Sequence, residues 1–297
     1  MVYRNLLPAI SAILVSTAAT AAHTPLQLEP SSKWRLNYGD ERCTLTRDFG
    51  ADTTAVHLQI DSFGAWNDFR VQLSGRPIPQ AVFPVGSVAV RMSPDREAST
   101  INTLRGTVDN KPALSFSVGF GPTITPAEFK KMSPAEKQAR SKTLGLPKPE
   151  YDAKVDRIDF FISAGPTLSL AVGNMAPPLA MLRSCIDDLY KSWGVDPLQQ
   201  KALSRPAQPT KSTLNSVRFN FPDEPLLTGL SAYVPVRLLI DATGKPISCV
   251  VQAEGVDEAF RKAVCAHLQG KFKPALDANG KPVPSMFHTS VLYLNYG

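Results

Sequence analysis

The chain has 297 residues, of which 43% are hydrophobic and 20% are charged, and its formal net charge at pH 7 is +6. The apolar content is sufficient for packed cores over about two domains, which excludes an intrinsically disordered protein. The mild positive charge includes no long run of lysine and arginine, so the composition argues against a dedicated nucleic-acid-binding protein.

The first 22 residues have the order of a secretory signal peptide. Arg4 carries the only charge, an apolar stretch runs from Leu6 to Val15, and small residues follow as far as Ala22. This order predicts export and a mature chain that begins near Ala22 or His23. The alternative is an uncleaved membrane anchor, but the apolar stretch is shorter than the roughly 18 residues of a membrane span. We therefore expect no transmembrane segment in the mature chain.

Four cysteines occur in the chain, and export would place them in an oxidising compartment. They are Cys43, Cys185, Cys249 and Cys265. An even number in such a compartment predicts two disulfides, for which three pairings are possible. Pairing within domains gives Cys43–Cys185 and Cys249–Cys265, and the alternative is four buried free thiols. Because Cys249 shares a strand face with apolar neighbours that a helix would cover, we predict the second of these bridges.

Residues 23–195 are predicted to form a β-rich, antiparallel domain. Apolar and polar residues alternate in short runs from Trp34 to Val172, which is typical of seven or eight strands that each bury one face. Two capping boxes, Thr125–Glu128 and Ser133–Glu136, predict short surface helices within an insertion. This domain carries no motif of a family that we recognise.

A longer helix closes this domain and a proline-rich segment follows it. The stripe formed by Leu179, Leu182, Ile186, Leu189 and Trp193 predicts a helix from about Pro177 to Trp193. Prolines recur over residues 196–212 between polar residues, which is typical of a linker. The remaining residues, 213–297, would then form a separate C-terminal unit.

The C-terminal unit has the pattern of a β-hairpin, a helix and a last strand. Alternating apolar residues lie on both sides of the turn Asp241–Gly244, and a helix is predicted from about Asp257 to Gln269. The last strand is predicted from Met286 to Asn295. The fold class is therefore α+β, with a β-rich antiparallel N-terminal domain and a small sheet covered by a helix.

Several segments of this unit resemble the TonB C-terminal domain family. They are Phe221-Pro222, Val234–Pro246, Phe272–Ala275 and Gly280–Val283. The resemblance covers residues 213–297 only. It implies a small antiparallel sheet that grips the periplasmic end of an outer-membrane transporter in a Gram-negative bacterium, as part of TonB-dependent transport. Because the predicted signal peptide is cleavable and the proline-rich segment is short, the resemblance implies binding more than energy transduction.

The last strand is the candidate binding element. A three-stranded sheet leaves two edges with unpaired backbone groups, and the resemblance implies that the C-terminal strand is the edge that a partner uses. The segment has no proline, lysine or glutamate that would protect the edge. Alternatively, the N-terminal domain or a second copy of the chain covers it. The candidate residues are Met286, Phe287, His288, Thr289, Ser290, Val291, Leu292, Tyr293 and Leu294.

No motif for catalysis, metal binding or a cofactor occurs in the sequence. Cys265 with His267 or His288 is a conceivable pair of nucleophile and base, but the cysteine of an exported protein is more often oxidised than free. Asp187 and Asp188 suggest a pair of catalytic carboxylates. The side chains of adjacent helical residues point in different directions, so we expect both carboxylates at a solvated edge of the helix.

The sequence supports two hypotheses from different classes. The first is a periplasmic protein-binding module that is not an enzyme, needs no cofactor or metal, and binds a protein such as an outer-membrane receptor. The second is a secreted enzyme or inhibitor whose activity resides in residues 23–195. The oligomeric state and the partner's identity are left open.

Overall fold

The computed structural model describes residues 24–92, 97–121, 126–143 and 145–295. The predicted signal peptide and Thr125 of the first capping box lie outside these ranges. Helices account for 24% of the residues and strands for 39%. This mixture of helices and antiparallel strands agrees with the predicted fold class at a coarse level.

Ten strands of the N-terminal unit form one curled sheet. They are β1 (Leu26–Leu28), β2 (Arg35–Tyr38), β3 (Cys43–Phe49), β4 (Val56–Ser62), β5 (Asp68–Gly75), β6 (Val85–Met92), β7 (Ser99–Val108), β8 (Lys111–Gly119), β9 (Ile158–Ile162) and β10 (Thr167–Leu170). Their spatial order is β1-β10-β9-β6-β7-β8-β5-β4-β3-β2. Neighbouring strands are antiparallel, except that β1 and β10 run parallel. The period-two pattern thus predicted the sheet type and most of its strands.

The predicted helix is present as α4 (Ala176–Ser192), which packs on one face of the sheet. Leu179, Leu182 and Ile186 are fully buried in the same core as the inward side chains of the strands. The chain leaves the helix through Gly194, which has a φ of 76°, a left-handed conformation that favours glycine. A disulfide joins Cys43 at the start of β3 to Cys185 of α4, with a Cα–Cα distance of 6.1 Å.

An insertion between β8 and β9 contains three short helices. They are α1 (Pro126–Lys131), α2 (Pro134–Thr143) and α3 (Pro149–Asp152). The second predicted capping box is present, because the N–H of Ser133 donates to the Glu136 carboxylate and the N–H of Glu136 donates to the Ser133 hydroxyl.

The segment predicted as a linker, residues 196–212, contains ordered secondary structure. Helix α5 (Pro197–Lys201) and strand β11 (Gln208–Pro209) lie within it, and helix α6 (Lys211–Phe219) begins at its end. Gln200 and Lys201 bond to side chains and backbone on both sides of the segment. These bonds hold the segment to both units.

The C-terminal unit has the predicted order of hairpin, helix and strand. Its elements are α7 (Asp223–Leu227), β12 (Ala232–Ile240), β13 (Pro246–Val251), α8 (Glu258–Leu268), β14 (Phe272–Lys273), β15 (Ala275–Leu276), β16 (Pro282–Val283) and β17 (Ser285–Tyr293). The sheet order is β13-β12-β17. Gly244 lies in the hairpin with a φ of 88°, and a Cβ there would meet the Phe272 carbonyl oxygen at 2.2 Å. The predicted Cys249–Cys265 disulfide is present and joins β13 to α8.

Both faces of this small sheet are covered. One face presents Val234, Val236 and Leu238 to α8, where they are fully buried. The opposite face packs on the N-terminal unit, where Arg237 donates to both oxygens of Glu41 at 2.7 and 2.8 Å and its guanidinium lies 4.7 Å from the Trp193 ring centroid. The two units therefore share a packed interface.

Candidate binding site at the free edge of β17

The predicted edge strand is an edge strand in the structure. Strand β17 pairs with β12 along its whole length, with Phe287 opposite Leu238 and Thr289 opposite Val236, and no strand of the described ranges lies on its other side. Eight of the nine candidate residues lie within β17, and Leu294 follows it directly. The predicted location of an open edge and the observed location therefore agree, while binding to this edge stays a prediction.

Alternate residues of β17 direct their backbone groups away from β12. The side chain of Gln200 accepts a hydrogen bond from the N–H of Met286 at 3.1 Å and donates one to its carbonyl at 2.9 Å. Since backbone direction alternates along an antiparallel strand, His288, Ser290 and Leu292 also point their N–H and C=O groups outward. Within the described ranges, no polar atom bonds to these outward groups. These outward groups form an unpaired edge that begins after Met286, the residue whose backbone bonds to Gln200.

The side chains of β17 divide between two surroundings. Phe287, Val291 and Tyr293 face α8 and join the C-terminal core. Met286 faces the other way and is buried in the core of the N-terminal unit. Ser290 and Leu292 follow on that side and are exposed. The edge is thus anchored at its start and accessible towards its end.

A cavity of about 710 Å³ lies beside the anchored start of this edge. One wall is the sheet of the N-terminal unit, a second is the helical insertion and a third is the C-terminal unit. The wall residues are Val90, Ile101 and Val118 on the sheet, Trp66 and Asp68 at the start of β5, Arg140 and Lys148 in the insertion, and Met286, Phe287 and His288 on β17. A volume of this size is sufficient for the side chains of a bound segment.

Polar side chains at the base of the cavity form a connected group. The Trp66 indole N–H donates to the Asp187 carboxylate at 2.7 Å, and the Lys201 ammonium donates to both oxygens of the same carboxylate at 2.7 Å. Lys201 also lies 5.0 Å from the Trp66 ring centroid. Asp187 is partly solvated, with 29% of its side chain exposed, because tertiary packing brings two donors to it. Asp188 is exposed, as expected, and bonds to exposed Lys191 at 2.9 Å.

His288 contributes a neutral group to this base. Its Nδ1 lies 3.2 Å from the Tyr190 hydroxyl, whose ring stacks on Trp66 at 4.7 Å. Burial lowers the pKa of His288 to about 4, so the imidazole is uncharged at pH 7. Burial, followed by the charge of Asp187, raises the pKa of Tyr190, so its hydroxyl stays protonated.

Asp68 differs from these groups because it has no partner. Asp68 lines the cavity but is an exposed residue, and its carboxylate makes no hydrogen bond or ion pair within the described ranges. Partial desolvation by the neighbouring cavity walls raises its pKa. Sequence reasoning missed Asp68, Trp66 and Gln200, because a single aspartate, tryptophan or glutamine near a strand end is a common feature without a distinctive spacing.

The residues considered for catalysis are occupied by structural contacts. Cys265 is in a disulfide, which removes the proposed thiol nucleophile. His267 bonds to the Ser216 hydroxyl at 3.0 Å, and His57 bonds to Asp48 at 2.7 Å on the surface. Among the described residues, no group of three or more histidine, cysteine or acidic side chains is arranged for a metal ion. The hypothesis of an enzyme or inhibitor in residues 23–195 stays a prediction.

The sequence matches no protein-family profile, no curated protein and no solved structure. Membership of the TonB C-terminal domain family therefore stays a prediction that rests on the segments quoted above. No helix in the described part of the chain is both long enough and apolar enough to cross a bilayer.

Proposed function

We propose that this chain is an exported protein-binding module whose β17 edge accepts an extended segment of a partner protein. The observation that carries the proposal is the row of outward backbone groups at His288, Ser290 and Leu292 beside an open cavity. Strand addition satisfies such groups with backbone hydrogen bonds, while side chains of the added segment enter neighbouring pockets. Gln200 already makes this type of contact at Met286, since its amide group bonds to both backbone groups as a strand would.

Export is supported by two independent features. The first is the order of charge, apolar stretch and small residues over residues 1–22. The second is the pair of disulfides, which account for all four cysteines and are typical of oxidising compartments. We place the protein in the periplasm, because the resemblance of residues 213–297 to the TonB C-terminal domain implies a Gram-negative envelope.

The class of partner follows from the same resemblance. We propose an outer-membrane protein that presents an extended segment to the periplasm. Because one face of the C-terminal sheet packs on the N-terminal unit through Arg237 and Glu41, the full mature chain is the binding unit.

Substitution of Leu292 by proline tests the edge directly. Its N–H points outward, so proline removes an edge donor without removing a bond to β12. The matched control is Ile247→Pro, because Ile247 is also an exposed residue and lies on the opposite edge strand of the same sheet. Both variants should retain the fold.

The measurement is capture of proteins from an envelope extract by immobilised mature protein, combined with amide hydrogen exchange. We expect a partner that the parent and Ile247→Pro retain and that Leu292→Pro loses. Binding of this partner should slow amide exchange at His288, Ser290 and Leu292. Equal capture by all three proteins, or unchanged exchange at these amides, would show that the edge is not the binding site.

A further inference from the structure

We infer that the segment bound at β17 carries a large apolar side chain, leucine or phenylalanine in type, at the residue that pairs opposite His288, and that this side chain fills the cavity. The inference rests on the proposed strand addition, taken as antiparallel, and specifies which residue that site selects.

Gln200 determines where pairing along the edge begins. Its side-chain amide bonds to the N–H and the carbonyl of Met286 at 3.1 and 2.9 Å, so an added strand finds both groups occupied. The next outward groups along β17 are those of His288, and no atom of the described ranges bonds to them. The first backbone pair between the added segment and β17 is therefore made at His288.

The residue paired with His288 directs its side chain towards the N-terminal unit. Directly opposite residues of an antiparallel pair project to the same face, with Cβ atoms about 4.5–5.5 Å apart. His288 faces the N-terminal unit, because its Nδ1 lies 3.2 Å from the Tyr190 hydroxyl. Two residues further on, the Ser290 hydroxyl donates to the Tyr233 oxygen at 2.7 Å, and Ser117 of β8 donates to the same oxygen at 3.2 Å.

The cavity lies along this stretch of the edge. Gln200, Met286 and His288 line it beside β17, and Ser117 lines it on the N-terminal unit. The hydrogen bonds of Gln200 and Ser117 thus connect both ends of the stretch to the cavity wall. A side chain that points from the residue opposite His288 towards the N-terminal unit enters this space.

Apolar residues of both hydrophobic cores line the cavity. They belong to the cores or pack directly against them, and they are Trp66, Val90, Ile101 and Val118 on the N-terminal side and Ala207 and Phe287 on the C-terminal side. The cavity is therefore a gap between the two cores. A large apolar side chain that fills it removes apolar surface of both cores from water.

The charged residues of the wall leave the interior apolar. Lys201 is paired with Asp187 and contacts both of its carboxylate oxygens at 2.7 Å. Asp68 and Glu97 are exposed and lie at the opening, whereas Met286 is only 3% exposed and lies inside. The volume of about 710 Å³ is sufficient for a leucine or phenylalanine side chain.

The first test measures binding of fluorophore-labelled eight-residue peptides to the full mature protein by fluorescence anisotropy. The peptides consist of threonine and serine, except that one central residue is leucine, phenylalanine, alanine, lysine or glutamate. The protein variants are Ile101→Trp, whose larger side chain fills the cavity, and Leu292→Pro, which removes an outward N–H from the edge. The matched control is Leu36→Trp, since Leu36 is also half-buried and packs against the N-terminal core, but is not a residue of the cavity wall.

We expect leucine or phenylalanine to improve the dissociation constant about tenfold over alanine, as burial of a large apolar side chain does. Ile101→Trp should abolish this advantage because the cavity is already filled, and Leu36→Trp should retain it. Leu292→Pro should weaken all peptides alike.

A second measurement locates the side chain in the parent protein and does not depend on the stability of a variant. Photo-leucine, a photoreactive leucine analogue, replaces the central leucine, and mass spectrometry identifies the residue to which it cross-links. We expect cross-links to Ile101, Val118 or Met286. Photo-leucine at the next position, beside a retained central leucine, should instead react near α8, which covers the opposite face of the sheet.

Two kinds of result would overturn the inference in distinguishable ways. If Leu292→Pro weakens the peptides but leucine gives no advantage, if the advantage survives in Ile101→Trp, or if the cross-links avoid the cavity, the edge mechanism stands and the role of the cavity is wrong. A preference for lysine or glutamate would have the same meaning. If Ile101→Trp loses every peptide, the cross-links decide. If no peptide binds, or if Leu292→Pro binds as the parent does, the strand-addition function fails together with the inference.

Discussion

Asp68 and His288 line the same cavity, and burial moves their pKa values in opposite directions because it disfavours the charged form of each. The imidazole has a hydrogen-bond partner in Tyr190, whereas the exposed carboxylate has none among the described residues. The two residues therefore contribute differently to stability.

Replacement of Asp68 by asparagine should stabilise the protein at pH 7. The folded-state pKa of Asp68 is raised, so its contribution to stability is lost as pH rises from the unfolded-state value near 3.8 through the folded value. Asparagine removes this loss, and the melting temperature of Asp68→Asn should exceed that of the parent at pH 7 but not at pH 3. An equal or lower melting temperature at pH 7 would mean that the carboxylate is compensated in the protein.

His288→Asn should flatten the pH dependence of stability in acid. The folded-state pKa of about 4 lies below the ordinary 6.5, so the unfolded state binds more protons between these values and stability falls as pH falls through this window. The shift corresponds to about 3 kcal/mol at pH 4, with no contribution above pH 6.5. The measurement is the free energy of unfolding against pH for parent and variant. An unchanged slope in His288→Asn would contradict the assignment.

At the level of elements, the two disulfides hold helices against strands over different lengths of chain. Cys249–Cys265 spans a sequence separation of 16, and Cys43–Cys185 spans 142. By the chain-entropy model the first contributes about 3 kcal/mol and the second about 5 kcal/mol.

Removal of each bridge by paired alanine substitutions should therefore give two different losses of stability. Urea denaturation should show a larger fall in the unfolding free energy for Cys43→Ala with Cys185→Ala than for Cys249→Ala with Cys265→Ala. Both proteins should still fold, because each bridge lies in a formed hydrophobic core. The reverse order would show that native packing around α8, and not loop length, determines the contribution.

At the level of the whole molecule, the interface between the units depends on the face of the C-terminal sheet that α8 does not cover. Arg237 projects from the middle of that face, and its bidentate bond to Glu41 is largely shielded from solvent, with side chains 14% and 30% exposed. Such a pair is stronger than a surface ion pair.

A double-mutant cycle of Glu41→Ala and Arg237→Ala should give a coupling energy above about 1 kcal/mol. The matched control is the exposed helical pair Glu258 and Lys262, whose side chains are 68% and 77% exposed, with an expected coupling below about 0.5 kcal/mol. The unfolding free energy of the full chain is the quantity compared. If the two cycles give equal couplings, the Arg237 contact does not hold the units together.

The local patterns of the chain determined the elements. Period-two alternation predicted the strands, the stripe from Leu179 to Trp193 predicted α4, and the turn at Gly244 predicted the hairpin. These patterns are local because a strand or helix with one buried face needs apolar residues at a fixed spacing. The same logic predicted the open edge, since a short sheet with three strands must end in one.

Tertiary structure alone decided what surrounds that edge. No spacing rule could bring Gln200 to Met286, pair Asp187 with Trp66 and Lys201, or join Ser117 to Tyr233. These contacts join residues that lie between 14 and 121 positions apart. Their geometry depends on how the two units pack, and packing is determined by the complementarity of whole surfaces, which a pattern along one segment does not encode.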